Sequence, residues 1–208
     1  MARSLTICLL WLASSLMSGC YVAKNTKVMD IFTNCPPVFH PAVENAKYTA
    51  QIDLYGKHFS GLFVFKSLSD TIHRVVFMNE TGFKFFDFEY GPHHFTVQYI
   101  IPSLNKKMIV NTLSRDISYL AQPPLENSAH EQPKSEEYTI FKFPQGKGYS
   151  YYYTDKKCHH LQKIDMGNDK HKSLVIDLSG TVKNKPETIN ISHHNIKLTI
   201  FLRQITNA

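Results

Sequence analysis

The constraint that most narrows the possible folds is a run of short apolar segments set at regular intervals. Tyr48–Tyr55, Phe59–Phe65, Ile72–Met78, Phe83–Tyr90 and Phe95–Ile101 recur about every eleven residues, with turn signals between them at Gly56-Lys57, Ser67–Asp70, Glu80-Thr81-Gly82 and Gly91-Pro92. That spacing predicts an antiparallel meander. In the first segment Tyr48, Ala50, Ile52 and Leu54 share one face, as the period-two geometry of a strand requires. The second and third segments are apolar on both faces, so the sheet is either covered on both sides or lines an apolar cavity. In the fourth, Phe83 and Phe85 share a face, then Phe86, Phe88 and Tyr90 share a face one residue out of step. A slip of one residue predicts a β-bulge between Phe85 and Phe86.

The pattern then changes period. Leu104, Met108, Ile109, Leu113, Ile117 and Leu120 recur at helical spacing, with Ser103 as the expected N-cap and Pro123-Pro124 as the stop. Residues 104–121 read as one amphipathic helix packed on the sheet. The alternative, a helix lying on a membrane, suits its few cations less well. Gln122–Glu137, with three prolines and no periodicity, reads as a long exposed loop. Strands resume at Tyr138–Phe143, Gly148–Thr154, Cys158–Ile164, Leu174–Leu178, Thr188–Ser192 and Ile196–Leu202. Tyr149, Tyr151 and Tyr153 fall on one face, as a cross-strand ladder or as a ligand wall. The fold class is therefore mainly β (α+β): a curved antiparallel sheet or half-barrel of about ten strands with one central amphipathic helix.

The chain of 208 residues begins with one cation, Arg3, an apolar run from Leu5 to Leu16, and small residues before Cys20. Charge, apolar core and small-residue cleavage site, in that order, make a secretory signal peptide. The apolar run is shorter than the about 20 residues of a spanning helix. With its cysteine directly after Leu16-Met17-Ser18-Gly19, the segment resembles a bacterial lipoprotein signal. The resemblance implies cleavage of 1–19, lipidation at Cys20 and attachment to a membrane; an ordinary cleaved signal with a chance cysteine is the alternative. The expected organisation is signal peptide 1–19, lipid anchor and tether 20–46, and a single β-rich domain 47–208. No acidic cluster follows Cys20, which favours the periplasmic face of the outer membrane.

Arg3 is the only charged residue of 1–19, so removing them leaves 22 Lys+Arg against 17 Asp+Glu, a net charge of +5. These cations are scattered along the sequence, which argues for solubility and some attraction to anionic surfaces, not for a nucleic-acid interface. Outside the leader and the anchor, Cys35 and Cys158 remain as a possible disulfide, with two unpaired thiols as the alternative.

Eleven histidines raise the question of a metal, but neighbours such as His93-His94, His159-His160 and His193-His194 point to opposite faces of a strand. There is no HExxH, GxSxG, P-loop or GxGxxG motif. Asp87 and Glu89 read as the polar face of a strand rather than a catalytic pair. No cofactor and no metal are expected, and an enzyme is not.

A meander, a helix, a proline-rich loop and further strands, behind a lipoprotein signal, resemble the LolA/LolB lipoprotein-localisation factors. The resemblance covers most of 48–205 as architecture. It implies an incomplete β-barrel lidded by helices, whose apolar concavity holds acyl chains. The function it implies is a non-enzymatic, membrane-anchored lipoprotein binding a lipid or lipoprotein acyl chain between side chains such as Phe63, Phe65, Phe83, Phe85 and Tyr151. It also implies a membrane-touching apolar residue on a protruding loop, for which Leu68 is the nearest counterpart. The alternative is an assembly accessory of the cell envelope with a filled interior and a protein partner.

Overall fold

The computed structural model describes residues 39, 41–91, 94–122, 130–131, 135–168 and 170–206. The first half is the expected meander: β1 (Lys47–Leu54), β2 (Lys57–Ser67), β3 (His73–Met78), β4 (Lys84–Gly91) and β5 (His94–Ile100). Helix α1 (Lys107–Ala121) follows. The second half comprises β6 (His130–Glu131), β7 (Thr139–Gln145), β8 (Gly148–Thr154), β9 (Leu161–Gly167), β10 (Lys172–Val182), β11 (Lys185–His193) and β12 (Leu198–Gln204). All twelve lie in one open sheet, ordered β5-β4-β3-β2-β1-β12-β11-β10-β9-β8-β7-β6, and every pairing is antiparallel. The two meanders join where β1 pairs with β12, from Tyr48 against Gln204 to Leu54 against Leu198. The segment containing α1 therefore links one sheet edge, β5, to the other, β6.

Strand alternation settles which face is which. Tyr48, Ala50, Ile52 and Leu54 are all buried, and their cross-strand partners Phe63 and Phe59 extend the same face into β2. Phe77, Phe86 and Phe88 continue it through β3 and β4, and Ile200, Ile191, Ile176, Ile164 and Tyr152 through β12 to β8. This is the concave face, and α1 packs over it with Ile109, Leu113, Ile117 and Leu120 in the same buried cluster. A fully buried phenyl or leucyl side chain contributes about 1.5–3 kcal/mol, so this face supplies most of the fold's stability.

The β-bulge lies where the phenylalanine pattern slips. Phe77 pairs with Phe86 and Met78 with Lys84, leaving Phe85 without a counterpart in β3. Consecutive rings Phe85 and Phe86 both reach Phe77, at 4.8 and 5.5 Å. Nearby, Gly61 (φ +156°) lets β2 press against the end of β3, where any Cβ would collide with the Met78 carbonyl.

Two expectations shift. Helix α1 starts at Lys107, with Lys106 as an N-cap that makes no side-chain bond, because Pro102 to Leu104 form a separate turn; Ser103 does not cap it. Pro123-Pro124 lies outside the described residues. The end of the expected tether is not a free linker: Phe39, Val43 and Ala46 are buried. Phe39 stands edge-on to Phe141, Phe143 and Tyr152 at 5.0, 4.9 and 5.9 Å. An apolar residue every three or four positions gave this short arm something to bury, despite its prolines.

On the convex face Asp87 is 1% exposed and accepts bonds from Arg74 Nε (2.7 Å), Arg74 Nη2 (2.8 Å) and Lys84 Nζ (2.9 Å). Burial alone pushes its carboxyl up, but the bonds from Arg74 and Lys84 outweigh this and hold it below the usual carboxylate range. A carboxyl depressed by folding stabilises the protein above its unfolded pKa, about 4, and that contribution is lost as pH falls through the lower folded value. Asp87→Asn is expected to cost about 1–3 kcal/mol near neutrality. The difference between Asp87→Asn and the parent should vanish in urea titrations repeated at pH values descending below the carboxyl's folded pKa. Asp87 is thus an ion-pair anchor of the convex face, as the strand-face reading expects, and Glu89 stays at the surface near His94 (3.7 Å).

Candidate ligand-binding interior

Strand alternation places all odd-numbered turns at one end of the half-barrel and the even ones at the other. At the first end sit Tyr55-Gly56, the Asn79–Phe83 turn and the Ile101–Lys107 connection into α1. A row of rings leads inward from this rim. Phe83, 53% exposed, lies 5.8 Å from Phe85. Phe85, half-buried, lies 5.3 Å from Phe59 and 4.8 Å from Phe77. Phe77 is fully buried, 6.0 Å from Phe63 and 5.5 Å from Phe86. The Ile101 N–H donates to the Phe85 carbonyl at 3.0 Å, which holds the start of α1 beside this row.

The opposite end is closed by the arm. The Phe65 N–H donates to the Ala46 carbonyl at 3.0 Å, and Val43, Glu44, Phe65, His73 and Ala121, the last residue of α1, line one small cavity there. Lys185 Nζ donates to the Glu44 carbonyl at 2.6 Å, and Tyr48 Oη to the Pro186 carbonyl at 3.2 Å. Gln122 Nε2 donates to the Gly91 carbonyl at 2.8 Å. The interior is therefore stoppered where α1 ends and apolar at the rim where α1 begins.

Helix α1 is fastened across the concave face by a few polar contacts. Tyr90 Oη donates to the Ser114 carbonyl at 3.2 Å. His193 Nε2 and Asp116 Oδ2 stand 2.7 Å apart, with both side chains 0% exposed. Around that pair, His193 Nδ1 and Arg115 Nε are buried with no hydrogen-bond partner among the described residues, and Asp116 Oδ1 faces Arg115 Nη2 at 3.7 Å. Burial pushes the phenols of Tyr90, Tyr119 and Tyr152 up, so all three remain neutral donors.

Of the expected wall residues, Phe63 (1% exposed) and Phe65 (3% exposed) are deep in the interior, Phe85 is half-buried and Phe83 stands exposed at the rim. Tyr151 is a correction. It belongs to the convex face, paired with Lys142 and Asp165, because β8 turns Ser150, Tyr152 and Thr154 inward. The tyrosine row there runs along one strand and meets a cation of the next, with Lys142 Nζ 3.4 Å from the centre of Tyr149 and 5.3 Å from that of Tyr151. Leu68 is 46% exposed in the β2–β3 turn, at the closed end. Cys20 and Cys35 lie outside the described residues. Cys158 is disulfide-bonded. The His193–Asp116 contact was not legible in the sequence: the residues are 77 positions apart, and only the sheet register joins them.

Among the described residues no group of three or more His, Cys, Asp and Glu side chains is placed to hold a metal. No described helix is long and apolar enough to cross a membrane.

Among the described residues, one open, curved antiparallel sheet with a single helix across its concave face defines a LolA/LolB-like half-barrel. Two solved structures have the same fold. A LolA superfamily protein from Nitrosomonas europaea matches with a TM-score of 0.53 and 7% identity, over 81% of this chain and 87% of that one. A domain named for outer membrane lipoprotein sorting, from Vibrio parahaemolyticus, matches with a TM-score of 0.50 and 11% identity, over 77% of this chain and 82% of that one. No protein-family profile and no curated protein matches the sequence.

Proposed function

We propose that this protein is a non-enzymatic lipoprotein of the cell envelope that takes a lipid or lipoprotein acyl chain into its apolar interior. The observation that carries this is the graded row of rings at the open rim, from exposed Phe83 through Phe85 to buried Phe77 and Phe63. An acyl chain sliding along it replaces water contact with phenyl contact at each step, at about 25 cal/mol per Å² of apolar surface. The same fold in a protein named for outer membrane lipoprotein sorting supports the reading. A lipidated Cys20 would hold the protein to the outer membrane on its periplasmic face, with the arm ending at Phe39 as the point of departure.

Displacement of a fluorescent fatty acid tests it. The full chain should bind the probe saturably at micromolar concentration, and Phe85→Ser should weaken binding at least tenfold, an apolar contact of about 1.4 kcal/mol. Absence of saturable binding favours the second reading, an assembly accessory with a protein partner. That reading has its own support: Phe63, Phe77, Phe86 and Ile117 are 0–1% exposed, so α1 already covers the face a ligand would occupy.

A further inference from the structure

The rim around Phe83 is not only apolar. In an all-antiparallel sheet alternate turns share an end, and six connections meet here: β1–β2, β3–β4, β5–α1, β7–β8, β9–β10 and β11–β12. Together they carry Lys57, Lys106, Lys107, Lys147, Lys170 and Lys197, all exposed. Their acids are Glu80 and Asp169, the latter outside the described residues, and Asp53, next to the last position of β1, is paired with His58 at 2.8 Å. Lys84 and Lys172, at the first positions of β4 and β10, each share one buried carboxylate with a second cation: Asp87 with Arg74, and Asp165 with Lys163. At the opposite end the described charges are mixed, with Glu44, Asp70, Glu136, Glu137 and Asp155 among Lys47, Lys66, Lys156, Lys157, Lys183 and Lys185. Cations stand at both ends, but the topology sets most of the acids at the opposite one, so the rim keeps the excess of positive charge.

Three of the large apolar side chains that stand exposed are on this same end: Tyr55 (48%), Phe83 (53%) and Met108 (54%). Each sits beside a lysine, in Tyr55-Gly56-Lys57, Phe83-Lys84 and Lys107-Met108. Exposed rings and a thioether flanked by long cationic side chains suit an interface in which the apolar groups enter and the ammonium groups stay at headgroup level.

We infer that this rim docks on an anionic lipid surface, with Tyr55, Phe83 and Met108 entering the headgroup boundary and the lysines meeting lipid phosphates. Charge complementarity selects the occupant. The lysines follow an arc of eleven strands' width, from β5 to β7, which a flat array of phosphates can meet at once and a compact partner cannot. Each lysine near such a surface strengthens attachment about fivefold, an effect that salt screens. The inference does not require the interior to hold an acyl chain, and it places membrane contact at the end of the molecule opposite Leu68.

The test uses the full chain and vesicles of phosphatidylcholine, with or without an equal amount of phosphatidylglycerol. Anything contributed by residues 1–38 is common to all variants, so the comparison is between variants and between lipids. Trp11 is the sequence's one tryptophan, and the parent chain supplies its background. Phe83→Trp should shift to the blue and be quenched by brominated lipid on the anionic vesicles, while Leu68→Trp should not. Lys106→Gln with Lys107→Gln should lower attachment to anionic vesicles about twenty-fivefold and leave the neutral ones unaffected. All these positions are exposed, and an unchanged circular dichroism spectrum confirms the fold of each variant. The inference is overturned if Leu68→Trp responds and Phe83→Trp does not, if the double lysine variant attaches like the parent, or if soluble polyphosphate gives the Phe83→Trp response without lipid. An acyl chain drawn from a vesicle into the interior would change Phe83→Trp on neutral and anionic vesicles alike, whereas docking needs the anionic lipid, so the two readings fail separately.

Discussion

Replacing Cys158 with serine is expected to destabilise the protein by about 5 kcal/mol, the chain-entropy value for a bridge closing a loop of roughly 120 residues. Cys158 is disulfide-bonded, and every other cysteine of the chain, Cys8, Cys20 and Cys35, lies outside the described residues. Cys35 is the partner we propose. It precedes Phe39 by four positions, and Phe39 packs against β7 and β8, the strands that lead into the turn holding Cys158. The bridge would thus fix the arm where the aromatic contacts already lay it and keep the stopper on the closed end. Cys35→Ser should reproduce the loss, the double variant should add nothing to either single one, and Cys8→Ser should match the parent. Urea midpoints of the four variants, with peptide mapping under non-reducing conditions, decide it. A Cys35→Ser variant as stable as the parent would refute the pairing.

How much of this was legible beforehand depends on whether the information was local. The β-bulge could be read from Phe85 and Phe86 alone, because a period-two pattern that slips by one residue has few other physical solutions. The strands of both meanders could be read for the same reason. The face of a strand was harder. Tyr149, Tyr151 and Tyr153 share a side in any strand, but only the pairing of Tyr152 with Phe141 and Ile164 shows that their side is the convex one. The rim was harder still. Lys57, Lys107 and Lys197 are far apart in sequence and become neighbours of one surface only when β1 pairs with β12. The arm at Phe39–Ala46 was misread as tether because prolines exclude regular structure without excluding burial.

Asp116→Ala is expected to cost about 3–5 kcal/mol, and His193→Ala a similar amount, since each removes one member of a pair whose side chains are 0% exposed. The cost comes less from the lost attraction than from the partner left behind. His193 Nδ1 lacks a hydrogen-bond partner among the described residues, so a surviving imidazole has nothing to turn to, and a surviving Asp116 keeps only the longer ion pair with Arg115 Nη2 at 3.7 Å. Replacing both residues by apolar ones of similar size should recover much of the loss, because two buried polar groups then disappear together. A double-mutant cycle in urea should therefore show strong coupling, and additive losses would sink this account of the contact. The same variants weigh the two readings of the interior. The pair ties the middle of α1 to β11, and an acyl chain can reach Phe63 and Phe77 only where α1 yields. A helix that must move before a ligand enters taxes affinity by the fraction of time it stands open. Loosening the tie should then lower stability and tighten binding of the fluorescent fatty acid at once, whereas an interior that never opens to ligand would show the first effect without the second.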